Sequence, residues 1–330
     1  MCIRDRPSAP SVAPLRPAAM LRQFAGEEAP PPSVDTVPEL VGIIEHLRGI
    51  SAVGDGMHYA LYRLDPGIPT SEREMHRLTY EQGVRMFVVG GSAADLVGAR
   101  YFHSFLDDGG GPTQLLTLDA LSGAVISARP VPAMLGLVYD HATSHLLGLS
   151  IRDGGSRLLR VNPEDGTWRE LNSFDGWVTL GAMTLDAARR RLYVPLGQEP
   201  GHPDLLIVDA DTGLLLDTVP TPQAFHLDFD GLRDRLVGMA PNGSGSSDIV
   251  TWSPQTQQWT VVMSIGGFYN VGQATMDPRS GYYIYHGRLD GVESQQVIAV
   301  DVDLGQVIGA ISVPGHMGLE FVGPVQSMPL

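Results

Sequence analysis

His226 and Asp228 have the residue types and spacing for acid–base chemistry. Alternate residues of a strand point to one side, so the carboxylate there can orient the imidazole as a general base. The same two residues also fit a buried histidine satisfied by its neighbour. Glu320 stands where comparable runs carry Leu137, Met183, Leu227 and Ala274, and a lone acid among apolar residues needs a partner or a cation. With Asp228 it forms the candidate metal pair, for which oxygen ligands favour Ca²⁺. No Ser-His-Asp order and no His-x-x-x-His spacing accompanies them.

Composition removes several other chemistries. All 22 basic residues are arginine, so phosphate-loop, Schiff-base and kinase-type lysines are absent. A net charge of −15 repels a phosphate backbone and argues against a nucleic-acid partner. Cys2 is the only cysteine, which excludes an intrachain disulfide and a cysteine-built metal site. No run approaches 18 apolar residues, so no membrane-spanning helix is expected.

The elements that must position these residues follow from a repeat. Runs ending in a turn residue recur at Gly83, Gly123, Gly166, Gly213, Gln257 and Gly305, with intervals of 40, 43, 47, 44 and 48. A second marker interleaves: Asp140, Asp186, Asp230 and Asp277 each close an apolar run, and Leu146, Leu192, Leu236 and Tyr283 follow six residues later. Four short strands per unit at such a period are the signature of a β-propeller blade. One unit reads as strands over 180–185, 191–196, 204–209 and 214–219. Six turns predict a single six-bladed propeller of four-stranded blades, with a seven-bladed or incomplete ring as alternatives. The ring closes if 318–323 joins strands at 58–65, 75–80 and 84–89, unless 48–54 supplies its own first strand. Residues 1–35, with Pro30, Pro31 and Pro32, read as a disordered leader. A capping box at Thr36 and Glu39 predicts a short helix over 37–48, within a helix-and-linker segment at 36–56. The propeller then fills 57–330.

The repeats resemble the YVTN and NHL group of bacterial propellers, through Asp186-Ala-Ala-Arg-Arg-Arg-Leu-Tyr-Val194 and Asp277-Pro-Arg-Ser-Gly-Tyr-Tyr-Ile-Tyr285. That resemblance spans about 57–323 and implies architecture only, since the fold hosts binding proteins, lactonases and cyclases. Met1–Arg6 resembles translated sequencing adapter, which leaves localisation open. A signal peptide lost with the natural start would place the chain outside the cytoplasm.

Strand direction sorts the candidates. Turns between first and second and between third and fourth strands share one face, where repeated aspartates are expected to cap turns. The opposite face has irregular loops, the usual place for function. It carries the candidate ligand residues Trp177, His202, His226, Asp228, Asn242, Tyr269, Asn270, Arg288 and His316. Trp177 and Tyr269 also suit a wedge between blades. The leading expectation is a non-catalytic binding or scaffold propeller without a cofactor, taking a protein, glycan or small-molecule ligand at the channel mouth. The alternative is a Ca²⁺-dependent lactonase-like hydrolase using Asp228 and Glu320.

Overall fold

A computed structural model describes residues 91–312 apart from short stretches at 108–112, 121–123, 180–182, 198–202, 244–245, 267–273, 278–279, 288 and 290–295. It also describes strands at 49–54, 58–64, 73–79, 86–87 and 317–321. The side chains of those five outlying strands are not part of the description. The expected helix at 37–48 and the leader lie outside these residues, and no helix occurs among the described ones.

Among the described residues every regular element is a β-strand, and each blade is an antiparallel meander. Blade I comprises β4 (Met86–Phe87), β5 (Ser92–Asp95), β6 (Arg100–Asp107), β7 (Gln114–Asp119) and β8 (Val125–Pro130). Blade II is β9 (Gly136–Asp140), β10 (His145–Arg152), β11 (Gly155–Val161) and β12 (Trp168–Asp175). Blade III is β13 (Val178–Thr179), β14 (Thr184–Asp186), β15 (Arg191–Gly197), β16 (Pro203–Asp209) and β17 (Leu215–Pro220). Blade IV is β18 (Phe225–Asp230), β19 (Arg235–Pro241), β20 (Ser247–Ser253) and β21 (Gln258–Ile265). Blade V is β22 (Ala274–Asp277), β23 (Tyr282–Gly287), β24 (Gln296–Asp301) and β25 (Gln306–Ser312).

The expectation of six like, four-stranded blades is overturned. The repeat builds five blades from consecutive strands, and in blades I and III the inner strand is broken in two, so that β4 and β5 both pair β6 and β13 and β14 both pair β15. The remaining sheet is a composite of the two chain ends: β1 (Gly49–Gly54), β2 (His58–Leu64) and β3 (Arg73–Thr79), with β26 (Met317–Phe321) antiparallel to β1. Residues 75–79 are thus the outer strand of that sheet, and 86–87 begin blade I. Of the run read as 84–89, the described pair Met86–Phe87 lies on β6 of blade I and not in the sheet shared by the chain ends. The physical reason is that alternation of apolar residues marks a strand but carries no information on its rank within a sheet.

Burial explains the sequence of each blade. Middle strands are covered on both faces by neighbouring blades, and β10 and β15 each bury at least five consecutive residues. Outer strands face solvent on both sides, as in β8 and β17. Apolar clusters fill the wedges between blades: Phe102 and Met134 with Leu146 and Val161 between I and II, and Tyr193 and Leu205 with Trp252 between III and IV. Complete burial of each such side chain contributes about 1.5–3 kcal/mol against exposure. The inner strands β5, β9, β14, β18, β22 and β26 lie against one another in cyclic order and form the wall on which the candidate site stands.

Candidate functional site

The repeated aspartates act locally on the backbone. Asp95 accepts from the amides of Val97 and Gly98 at 3.1 and 2.9 Å, and Asp140 from the Ala142 amide at 3.1 Å and the Thr143 hydroxyl at 2.6 Å. Asp186 accepts from the Arg189 amide at 3.0 Å, Asp230 from the Arg233 amide at 3.3 Å, and Asp277 from the Ser280 hydroxyl at 2.6 Å. These are the turn caps expected for aspartates at such positions.

Arginines then join these caps across blades. Arg190 of blade III donates to both oxygens of Asp140 in blade II, at 2.7 and 2.6 Å, and also holds Asp211. Arg189 binds Asp234 of blade IV at 2.5 and 2.6 Å, while Arg233 and Arg235 each reach Asp303 of blade V at 2.6 Å. Arg100 pairs with Glu164 of blade II. Burial pushes the Asp140 carboxyl up, but the bonds from Arg190 and Thr143 outweigh it and hold the group below the usual carboxylate range. Hydrogen bonding from Arg189 lowers Asp234, and that from Arg190 lowers Asp211. This belt is structural; sequence reading missed its cross-blade partners, although the Arg189-Arg190-Arg191 run was its visible signal.

On the channel wall, Asp228 stands two residues before Asp230, as Thr184 does before Asp186. Its Oδ1 accepts from the Thr184 hydroxyl of β14 and from the Phe229 amide, both at 2.8 Å. Its Oδ2 accepts from the Met276 amide of β22 at 2.8 Å. Burial raises its pKa in spite of these three bonds. One carboxylate therefore ties together the inner strands of three blades.

His226 does not stand in simple alternation with Asp228. The register of β18 on β19 jumps from Phe225↔Met239 to Asp228↔Val237, a bulge, and His226 takes φ +52° within it. The expectation of two residues projecting side by side from a regular strand is corrected by that bulge. Burial lowers the His226 pKa to about 4, and its Nδ1 is enclosed with no hydrogen-bond partner among the described residues. Its carbonyl accepts from the Tyr283 hydroxyl at 2.8 Å. A non-glycine residue held at positive φ is strained, a condition that clusters at functional positions.

The other candidates separate. Trp177 packs against the apolar wedge between blades II and III. Asn242 is held in the loop after β19, donating to Asp248 at 3.0 Å and accepting from the Ser246 hydroxyl at 2.8 Å. The backbone of Glu320 in β26 pairs with Ile50, and its side chain is outside the description. His202, Tyr269, Asn270, Arg288 and His316 lie outside the described residues. The structure thus brings together His226 and Asp228 in one strand and leaves Trp177 and Asn242 apart from them. Among the described residues, no three His, Cys, Asp or Glu side chains converge as an ion site, and no helix is long and apolar enough to cross a membrane.

Comparison with known proteins supports the fold. No family model matches the chain, and no curated protein does. Among solved structures, TolB from Acinetobacter baumannii superposes with a TM-score of 0.62 at 9% identity, over 84% of this chain and 66% of that one, so the match spans about two thirds of TolB. A nidogen/laminin complex gives 0.59 at 14% identity, over 84% and 98% of the two chains. A periplasmic gluconolactonase from Pseudomonas aeruginosa gives 0.53 at 14% identity, over 84% and 99%. At such identities the likeness is one of architecture alone, that of a β-propeller.

Proposed function

We propose that this propeller is a non-catalytic binding or scaffold module that reads its partner on the irregular loop face around the channel mouth. The observation that carries this reading is the engagement of Asp228, whose oxygens hold Thr184, Phe229 and Met276 instead of facing a substrate. His226 supports it, since a base whose pKa is pushed down to about 4 takes up protons poorly at neutral pH. The nidogen/laminin complex among the similar structures brings a protein partner to the front.

The gluconolactonase among those structures makes a Ca²⁺-dependent lactonase the rival, with Asp228 and Glu320 as ligands. Thermal unfolding titrated with Ca²⁺, alongside hydrolysis of gluconolactone, separates the two. The expected result is no shift and no hydrolysis above the spontaneous rate. An ion at a hundredfold excess over its dissociation constant adds about 2.7 kcal/mol to the folded state. A corresponding rise in Tm, with ion-dependent hydrolysis lost in Glu320→Gln, would overturn the binding reading. Peptide and glycan arrays probed with the wild type and His226→Ala test the site itself. A binder lost in the variant at unchanged Tm supports the channel mouth, and one indifferent to it places the site elsewhere.

A further inference from the structure

We infer that the loop after β19 is a self-modifying site, at which the backbone nitrogen of Gly243 attacks the carboxamide of Asn242 and converts it to an acid. Four asparagines occur in the sequence: Asn162 precedes Pro163, Asn172 precedes Ser173, Asn270 precedes Val271, and Asn242 alone precedes glycine. Asn242 and Gly243 are both exposed. Gly243 has φ +77°, and with no Cβ of its own it puts no side chain beside the nitrogen that follows the Asn242 carboxamide.

The carboxamide is held at both ends. Ser246 Oγ donates to its Oδ1 at 2.8 Å, and its Nδ2 donates to Asp248 Oδ1 at 3.0 Å. The Asn242 amide donates to the Ser246 carbonyl at 3.2 Å and closes the loop on itself. A hydroxyl aimed at the carbonyl oxygen stabilises the negative charge that develops there when a nucleophile adds. Asp248, fixed in turn by the Ser264 hydroxyl at 2.6 Å, holds the amide plane in place.

The step balances with water and hydroxide alone. The Gly243 N–H gives its proton to hydroxide, and the nitrogen attacks Cγ of Asn242. The new N–Cγ bond forms, the Cγ–Nδ2 bond breaks, and the nitrogen leaves as ammonia after taking a proton from water. Water then opens the resulting five-membered succinimide at either carbonyl, leaving aspartate or isoaspartate at 242. A donor to Asp248 is thereby replaced by a carboxylate, and two like charges at the former hydrogen-bond separation repel. The loop loses its tie to β20, and its face gains one negative charge. This inference does not depend on the proposed binding role.

The test is incubation of the intact chain at mildly alkaline and mildly acidic pH, followed by peptide mass mapping and isoaspartyl methyltransferase labelling. The mass gain of an amide-to-acid exchange should appear in the peptide holding Asn242, grow with time and pH, and be absent from those holding Asn162, Asn172 and Asn270. Gly243→Ala should slow it. Ser246→Ala should slow it several-fold in the folded protein and leave the rate in urea unchanged. No gain at 242 in the folded wild type would overturn the inference. So would an equal or faster rate in Ser246→Ala, which would show that the hydrogen bonds protect the amide.

Discussion

The fourth residue after each turn aspartate adopts the left-handed conformation: Ala99, Ser144, Arg190 and Asp234 have φ between 49° and 57°, and Gly281 has φ 78°. Glycine would relieve the strain at all of them, so each non-glycine residue must be judged by what its side chain does. Arg190 and Asp234 make the cross-blade ion pairs, whereas Ser144 makes no comparable pair. Ser144→Gly should therefore raise stability by up to about 1 kcal/mol in urea unfolding. Arg190→Gly relieves the same strain yet leaves fully buried Asp140 without its cation, and should cost about 3 kcal/mol. On the channel wall, Asp228→Ala strands the Met276 amide and should cost about 1–3 kcal/mol. A variant as stable as the wild type by thermal unfolding would remove Asp228 from its role as a clamp.

Strand elements dock through their turns. The glycine closing the last turn of a blade lies on the outer strand of the preceding one: Gly166 on Arg129, Gly213 on Leu171, and Gly305 on Val262. Blade IV has Gln257 there, at φ 54°, and its side chain reaches Asp217 of blade III. Glycine in these turns thus supplies both positive φ and room for the neighbour. Two substitutions separate these effects. Gly154→Ala, in the Asp-Gly hairpin turn of blade II, meets open space and should cost only the backbone term of about 1–2 kcal/mol. Gly213→Ala, at nearly the same φ, places its Cβ 2.7 Å from that of Leu171 and should cost clearly more. Equal midpoints in denaturant for the two variants would show that the turn does not bear on the outer strand. The short runs and turn positions of blades II to V were legible in the sequence, because local alternation and turn chemistry are local. The contact of one turn with the blade before it was not.

At the scale of the whole molecule, buried histidines and paired aspartates set a two-stage response to acid. His103 and His226 are kept neutral by burial, with pKa lowered from 6.5 to about 4. The unfolded chain binds those protons first, so stability is full above about 6.5 and falls as pH drops toward 4. Asp140, Asp209, Asp211, Asp234 and Asp303 are held below their ordinary range, so their contribution persists above about 4 and is lost as pH falls through their lower values. Asp228, raised by burial, acts in the opposite sense and loses part of its penalty as it protonates. Unfolding free energy measured against pH should show both stages, and His103→Gln should flatten the upper one. An unchanged upper slope in that variant would mean that His103 does not contribute to it.

The amino-acid sequence by itself determined the strand-and-turn period, the absence of lysine chemistry and the positions at which aspartate caps a turn, because each depends on residues close along the chain. It also put Asp228 and Asn242 among the candidate ligand residues without showing what holds them. Only the tertiary structure decided that the repeat makes five blades and that 49–54 stands between 317–321 and 58–64 in the sheet shared by the chain ends, since strand rank depends on which edges meet. It likewise decided that Arg190 belongs to Asp140, fifty residues away, and that a bulge takes His226 out of step with Asp228. These are consequences of edges and charges brought together by closure of the sheets, and no local pattern encodes them.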